Sequence, residues 1–491
     1  MASQEERAAL QVIVLGSGGG PIETNTTAFL VRSVAKQWSK GSLLAVDAGV
    51  HLASISEILE KNNGSFDDKN SENELQNSRN QKQPKRVLSN GPFAGMELQH
   101  ESIKANAGYI TGVLVGTYLI THPHLDHISG LVVNSSSLPR NQPKIIAGLP
   151  STISALKTHI FNNIIWPNLS DENNGAGLVS YMRLVEDKSP SLFKSEEDGF
   201  VEVCEGLQVK TWSVSHGHCV EKHEKSSTTL ESQSSENPRI RASSTSSFTT
   251  GEQNLRKSSF HDRLCFSESS AFLIRDVVTR TEILIFGDVE PDSISLFPRN
   301  KNVWTAAAPR IAAGNLRGIF IECSYDDTRS VDGLFGHLAP RYLFEELKVL
   351  AAEVDRLRTR DRKKRKRASD CFAKYMRRKT KTESAQLSPY SSDFAENDYY
   401  ETDSKDDEFN DSDESCQSLY IPESAPTDKS NDEPQVTPLK GIKLIIIHIK
   451  EKLDDSPNVA DIIHQQLLEH ERQAQLGCEI IISNVGQSLY F

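Results

Sequence analysis

No run of this chain approaches the roughly 20 apolar residues that a membrane span needs. Its opening stretch, MASQEERAALQVIVLG, puts charge ahead of a short apolar strand, where a secretory leader would carry a longer apolar run. Cysteine is sparse: seven in 491 residues, scattered, with no CxxC pair. An odd, unframed set excludes a disulfide scaffold and fits a reducing compartment. Net positive charge is also missing. The balance is −12, which argues against general affinity for nucleic acid. Hydrophobic residues make up only 37%, but the shortfall sits in a few polar segments, so a sizeable core can still form. The expectation is a soluble, cytoplasmic protein with neither membrane nor nucleic acid as partner.

Those polar segments divide the chain. Residues 61–85, 223–260 and 353–437 hold too few apolar side chains to offset the entropy of ordering, and they read as disordered insertions in one catalytic domain spanning 1–491. The last of them is split by charge. Residues 351–380 carry 13 Lys and Arg against 4 Asp and Glu, whereas 393–414 carry 11 acidic residues and one Lys. Between the insertions, apolar runs such as LQVIVLG, AFLVRS, SLLAVDAG, KIIAGLP, TEILIFGDVE, LRGIFIE and IKLIIIHIK read as strands, several of them buried on both faces. HLASISEILEK, STISALKTHIFNNIIW, APRYLFEELKVLAAEVDRLR and NVADIIHQQLLEHERQAQL read as helices. Strands come without strict alternation with helices, so a layered sandwich with helices outside fits better than a doubly wound sheet.

Chemistry concentrates in YLITHPHLDHISGLVV, residues 118–133. The chain has 14 histidines, and three of them fall within six residues here, where an apolar strand ends. His122 and His124 are two apart, so on an extended segment they point the same way. Asp126 and His127 follow as the chain turns toward a helix, and Gly130 lets that helix begin close behind them. One loop can thus offer two imidazoles to one cation and an imidazole with a carboxylate to a second. Two cations about 3.5–4 Å apart suit phosphoryl displacement. Further candidates stand at other strand ends: His216 in WSVSHGH, with His218 two residues on as the alternative, Asp288 in ILIFGDVE, and His448 in LIIIHIK. The glycines of GSGGGP, 16–21, match no nucleotide-binding pattern, since neither GxGxxG nor GK[ST] is present.

The run HPHLDHISGL resembles the His-x-His-Leu-Asp-His-x-x-Gly signature of the class II cyclic nucleotide phosphodiesterases, the fungal low-affinity type. These share the metallo-β-lactamase fold and stand close in pattern to tRNA 3′-processing endonucleases. The likeness extends through GSGGGPIETNTTAFLV, LLAVDAG, VSHG, SSAFLI, ILIFGDVEPD, IFIECSYDD, LFGHLAPRYLFEEL and IIIHIK. It implies an α/β metallo-β-lactamase-like αββα sandwich with disordered surface insertions.

It also implies two divalent metal ions, expected to be zinc. His122, His124 and His216 would hold one; Asp126, His127 and His448 would hold the other; Asp288 would bridge. Asp47, after LLAV, would bond a ligand loop or an imidazole N–H and so fix its tautomer. The reaction implied is hydrolysis of 3′,5′-cyclic nucleotides, cyclic AMP and by extension cyclic GMP, to 5′-nucleotides, ending a signal. Asp126, Glu322 in IECS and His337 in FGHL would be catalytic, the last two through proton donation to the leaving 3′ oxygen. GSGGGP becomes a tight turn into the second strand, and Asn25 and Thr26 are candidate pocket-lining residues. KKRKRAS could direct the protein to the nucleus as well, and it resembles a basophilic kinase site at Ser369, as RIRAS does at Ser243; both make feedback from a cyclic-AMP-dependent kinase a hypothesis. An RNA-processing endonuclease of the same fold is the alternative. The −12 charge and the acidic block beside the only basic run weaken it.

Overall fold

LQVIVLG is buried along all seven of its residues. A strand without a polar face needs cover on both sides, and the architecture supplies it. A computed structural model describes residues 8–62, 86–186, 199–221, 263–385 and 437–491. The first sheet holds β1 (Leu10–Gly16), β2 (Ala28–Ser33), β3 (Leu43–Ala48), β4 (Val115–Leu119), β5 (Lys144–Gly148), β6 (Val179–Arg183) and the last strand, β14 (Ser488–Tyr490). The second holds β7 (Val201–Cys204), β8 (Leu207–Glu221), β9 (Arg263–Asp276), β10 (Glu282–Phe286), β11 (Leu316–Glu322), β12 (Lys443–Ile447) and β13 (Glu479–Ile482). Their orders are β14-β1-β2-β3-β4-β5-β6 and β13-β12-β11-β10-β9-β8-β7. Strands β3 to β6 are mutually parallel, as are β10 to β13, and the remaining pairs are antiparallel.

Side-chain alternation sorts the apolar residues into three layers. Leu10, Val12, Val14, Phe29, Val31, Leu44 and Val46 point between the sheets, where they meet Phe272, Ile274, Ile283, Ile285, Phe320, Ile445 and Ile447. Phe29 and Phe320 touch edge to face across that layer, with centroids 5.8 Å apart. The intervening residues, Ile13 and Leu15 among them, point outward onto α1 (Leu52–Asn62), α2 (Ile103–Tyr109), α3 (Leu125–Asn134) and α4 (Pro150–Ala155). On the other side Leu284, Phe286, Ile319, Ile321 and Leu444 pack on α5 (Asn300–Ala313), α6 (Pro340–Ala385) and α7 (Val459–Ala474). This is the αββα sandwich that the resemblance implies. Among the described residues, no helix is long and apolar enough to cross a membrane.

Several elements differ from expectation: Ile103–Tyr109, Val179–Arg183, Val201–Cys204 and Ser488–Tyr490 were not anticipated, and the helix expected through Trp166 ends at Ile160. Two further cases have a clear physical reason. Disorder was expected from 353 onward, yet α6 runs unbroken through Ala385. Its first turns are anchored by Leu343, Leu347, Leu350 and Val354, all fully buried. Helix extension from a formed nucleus costs little, and Lys, Arg, Ala and Glu are good helix formers, so the charged stretch continues the helix into solvent. Residues 386–436, like 63–85 and 222–262, lie outside the described residues. Helix α5 was not anticipated, because its polar start and Pro309 mask its apolar face; Val303, Trp304, Ala307 and Ile311 nevertheless form one.

The carboxyl ends of β3, β4, β10, β11 and β12 lie along one edge of the sandwich, where ligands bind in sheets of this kind. Strand β8 reaches the same edge in a 15-residue arm paired with β9. Its register slips between Ser215 and His218. That bulge, with Gly217 at φ +76°, re-aims His216.

Candidate metal centre

Strand β4 hands over to Ile120, Thr121 and His122, all buried, and His124 takes the N-cap position of α3. Asp126 and His127 occupy the first turn of that helix. The helix sits close because two glycines permit it. Gly130 N–H donates to Gly49 O at 2.8 Å. A Cβ on Gly49 would lie 1.9 Å from the Asp126 carbonyl oxygen, which no side chain could tolerate.

Four imidazoles are tied down by their outer nitrogens. His127 Nδ1 meets Asp47 Oδ2 at 2.8 Å, and His122 Nδ1 meets Thr121 Oγ1 at 3.1 Å. His216 Nδ1 meets Gly336 O at 2.8 Å, and His448 Nδ1 meets Ser324 Oγ at 3.0 Å. Each ring therefore turns its Nε2 inward, which is how protein donors fix the tautomer of a metal-binding histidine. Asp47 is the hub of this outer layer. It is buried, holds φ +54°, and also accepts from Thr121 N at 2.8 Å and Thr121 Oγ1 at 2.8 Å.

The inward atoms converge on Asp288. Its Oδ2 lies 3.6 Å from His122 Nε2 and 3.5 Å from His216 Nε2. Its Oδ1 lies 3.2 Å from both His127 Nε2 and His448 Nε2. His448 Nε2 is also 3.2 Å from Asp126 Oδ2. Two donor sets result, sharing Asp288: His122, His124, His216 with Asp288, and Asp126, His127, His448 with Asp288, each within 4.8 Å mutually. His124 is exposed and Asp126 half-buried, so the centre opens to solvent on their side. His218 lies beyond the bulge, exposed; the structure brings His216 to the cluster instead.

The chemistry of this donor set fits divalent cations. His122 Nε2, His127 Nε2 and Asp288 Oδ1 are buried with no hydrogen-bond partner, although they face one another. Orphaned buried polar atoms cost about 1–3 kcal/mol each, and a cation between them supplies the missing partner. Burial pushes His122 and His124 down and His216 down to about 4, keeping those imidazoles neutral and able to donate lone pairs. Burial opposes the charge on Asp288, but His448, His127 and His122 outweigh it and hold the carboxylate ionised. Asp126 behaves likewise, with the His448 hydrogen bond and the His127 charge prevailing over burial. His127 departs from the pattern: burial would lower it, but the flanking Asp288 and Asp47 raise it strongly. That negative field favours any positive charge at its Nε2, a metal cation included.

Beside the centre stand His337 and Glu322. His337 Nδ1 lies 2.9 Å from Glu322 Oε1, and the ring stacks on His448 at 5.2 Å. Glu322 is fully buried at the end of β11. It accepts from Val289 N at 2.7 Å, Ser324 Oγ at 2.6 Å and Leu338 N at 3.2 Å. With its oxygens so engaged, Glu322 stands behind His337, away from a substrate. Burial would lower His337, but the Glu322 charge and hydrogen bond raise it. Gly336 supports both histidines: its carbonyl holds His216, and the next residue is His337. At φ +80°, it rests on Gly217 so closely that a Cβ would lie 2.7 Å from Gly217 N.

Sequence reasoning did not single out Thr121, Ser324, Gly336 or Gly19. Gly19 lies against the His448 ring, where a Cβ would come within 2.4 Å, and Ser17 O accepts from His448 N at 2.6 Å. The GSGGGP loop thus clamps a histidine of the centre. Asn25 locks that loop, accepting from Ser17 N at 3.0 Å and donating to Glu451 at 3.1 Å. Thr26 is buried, with its hydroxyl bonded to Glu23 O at 3.3 Å, and stands apart from the two donor sets. Ser369 is exposed on α6, and Ser243 lies outside the described residues.

A family model described as class-II cAMP phosphodiesterases matches residues 54–360. A 3′,5′-cyclic-nucleotide phosphodiesterase of Schizosaccharomyces pombe is 30% identical over 340 residues, covering 69% of this chain and 75% of that one. The 3′,5′-cyclic-nucleotide phosphodiesterase 1 of Saccharomyces cerevisiae is 27% identical over 361 residues, covering 69% and 82%. Among solved structures, unliganded yeast PDE1 superimposes with a TM-score of 0.58 at 20% identity, covering 99% of this chain and 100% of that one, a likeness of fold.

Proposed function

Since the chain belongs to the class-II cAMP phosphodiesterases, we propose that it hydrolyses 3′,5′-cyclic nucleotides, cyclic AMP foremost, to 5′-nucleotides and so ends a cyclic-nucleotide signal. The observation that carries this is the pair of donor sets sharing Asp288, with orphaned buried atoms turned toward one another. His122, His124 and His216 would hold one divalent cation, Asp126, His127 and His448 the other, and Asp288 both. Zinc suits a set so rich in imidazole. When bound, such cations polarise a phosphoryl oxygen and acidify water toward neutrality.

The chain's own residues do the rest. Asp47, Thr121, Gly336 and Ser324 hold four imidazoles in the tautomer that keeps Nε2 free for the centre. The leaving 3′ alkoxide is a strong base, and protonating it lowers the barrier. His337 is the proton donor: Glu322 takes up Nδ1, leaving Nε2 to give a proton to the ribose oxygen. Glu322 orients that ring and supports its positive charge. Asp126, on the open side, would hold its cation where the substrate arrives.

The exposure of Ser369 behind a basic run supports a kinase input there. The same basic run supports action in the nucleus as well as the cytoplasm. The deciding experiment offers cyclic AMP, cyclic GMP and a tRNA precursor to the purified chain, with and without chelator. Chelator-sensitive release of 5′-AMP is the expected result. Activity indifferent to chelator, or cleavage of RNA alone, overturns the proposal.

A further inference from the structure

On the His216 side of the centre a carboxylate joins the two halves of the sandwich. Ser151 lies in the first turn of α4, in the half built on the first sheet. Glu268 stands on β9, in the other half, directly opposite Ser215, the residue before His216. Its carboxylate accepts from Ser151 Oγ and, at 2.6 Å, from Ser213 Oγ. Glu186 accepts from Ser213 N at 3.2 Å, so two carboxylates converge on one serine. Arg299 Nη1 donates to the same serine hydroxyl at 2.9 Å. Lys157 and Arg183, beyond α4 and at the end of β6, are both paired with Glu172. This bridge adjoins the metal donors. A Cβ on Gly287, the residue before Asp288, would lie 2.6 Å from the hydroxyl of Ser269, next to Glu268. Ser270 Oγ donates at 2.9 Å to the carbonyl of Thr121, the residue before His122.

Packing does not require a charge at this place. Ser151 is exposed and Glu268 half-buried, and an amide could bridge the two serines as well. Glu268 also belongs to neither donor set. What the charge does follows from the shape of the substrate. A linear strand crossing the centre must leave it on both sides, and it carries a further phosphate on each. A 3′,5′-ring closes both ester oxygens onto one ribose, so it can leave by a single side and brings no second phosphate. Setting like charge against like is a way for a site to reject a wrong partner.

We propose that Glu268 is a specificity-determining residue: its carboxylate bars the His216 side of the centre to the flanking phosphate of linear nucleic acid and admits the isolated cyclic diester. The proposal rests on the cyclic-nucleotide reading and deepens it by naming what the site excludes. The test is Glu268→Gln, which keeps the size of the side chain and its contacts to both serines but removes the charge. Two inhibitors of cyclic AMP hydrolysis are compared at low salt. One is the dinucleoside phosphate ApA, a single diester with no neighbour. The other is a circular oligodeoxyadenylate, in which every diester has a phosphate on both sides. Like charges about 10 Å apart at a protein surface change binding by about tenfold. The ratio of Ki for the circle to Ki for ApA should therefore fall about tenfold in Glu268→Gln. Salt at about 0.15 M, where the screening length is about 8 Å, should erase most of that gain. Glu60→Gln, which removes an exposed carboxylate on α1, should leave the ratio where it is in the natural chain. An unchanged ratio in Glu268→Gln overturns the proposal, and so does an equal fall in Glu60→Gln, which would reflect net charge alone. A natural chain that leaves cyclic AMP intact overturns the functional reading itself, and the proposal falls with it.

Discussion

Replacing Asp47 by Asn tests the outer hydrogen-bond layer with a change of one atom. Thr121 N–H donates to Oδ1 at 2.8 Å, so that position must remain an oxygen. The new amide nitrogen then takes the place of Oδ2, 2.8 Å from His127 Nδ1. An amide donates where a carboxylate accepts, so His127 must accept at Nδ1 and move its proton to Nε2. That proton would point at Asp288 Oδ1, 3.2 Å away, and leave Nε2 without a lone pair for a cation. Changes of this kind behind a metal histidine cost about 10- to 100-fold in metal affinity, or about 1.4–2.7 kcal/mol. Competition with a chelating indicator should show one metal bound that much more weakly and the other little changed. Turnover should fall at limiting metal and recover in excess. Two metals retained at natural affinity, with the metal-free proteins equally stable, would refute the tautomer argument.

Three further outcomes follow from the same geometry. Gly336→Ala forces a Cβ against Gly217 at a left-handed φ; the thermal transition should show a loss of about 1–2 kcal/mol or more, and an unshifted transition would contradict it. His337→Asn should reduce kcat on cyclic AMP by about 10²–10⁴, yet far less on bis(p-nitrophenyl) phosphate, whose nitrophenolate leaves without a proton. Equal losses on both substrates would remove His337 as donor. Because the donors come from strand ends and the start of α3, spread between residues 122 and 448, the sites form only on folding. Free metal at about 100 times Kd should therefore add about 2.7 kcal/mol of stability per site, read as a thermal shift that chelator reverses; a Tm indifferent to metal would argue against binding there.

Much of this is legible in the sequence, for reasons specific to particular residues. Leu10–Gly16, but for Gln11, and Leu444–Ile447 are apolar, as a strand covered on both sides requires. His122, Asp288 and His448 each follow such a run, so their common placement at one edge can be read before any coordinates. The anchors are harder to see. Ser324 and Thr121 are ordinary hydroxyl residues in sequence, and only the fold brings Ser324 to His448, 124 positions away. Gly336 acts through its backbone carbonyl, which every residue possesses. Asn25 and Thr26 are polar residues near a glycine loop, a pattern that loop-locking and substrate contact share. The start of the 353–437 segment is misread because composition alone does not show that α6 is already nucleated by Leu343–Val354.

The pairing of β14 with β1 has a consequence for how the chain is made. Gln11 sits opposite Tyr490, 479 positions later. Until Tyr490 has left the ribosome, the outer edge of β1 offers its backbone N–H and C=O groups to whatever strand comes near. Open edges are where sheets pair with the wrong neighbour, and long-range closures form late. None of the metal-centre donors comes from β14, so the centre does not depend on that strand for its ligands. The short strand β14 thus acts as a cover on a sticky margin, and a chain in which it has not docked carries an additional open edge.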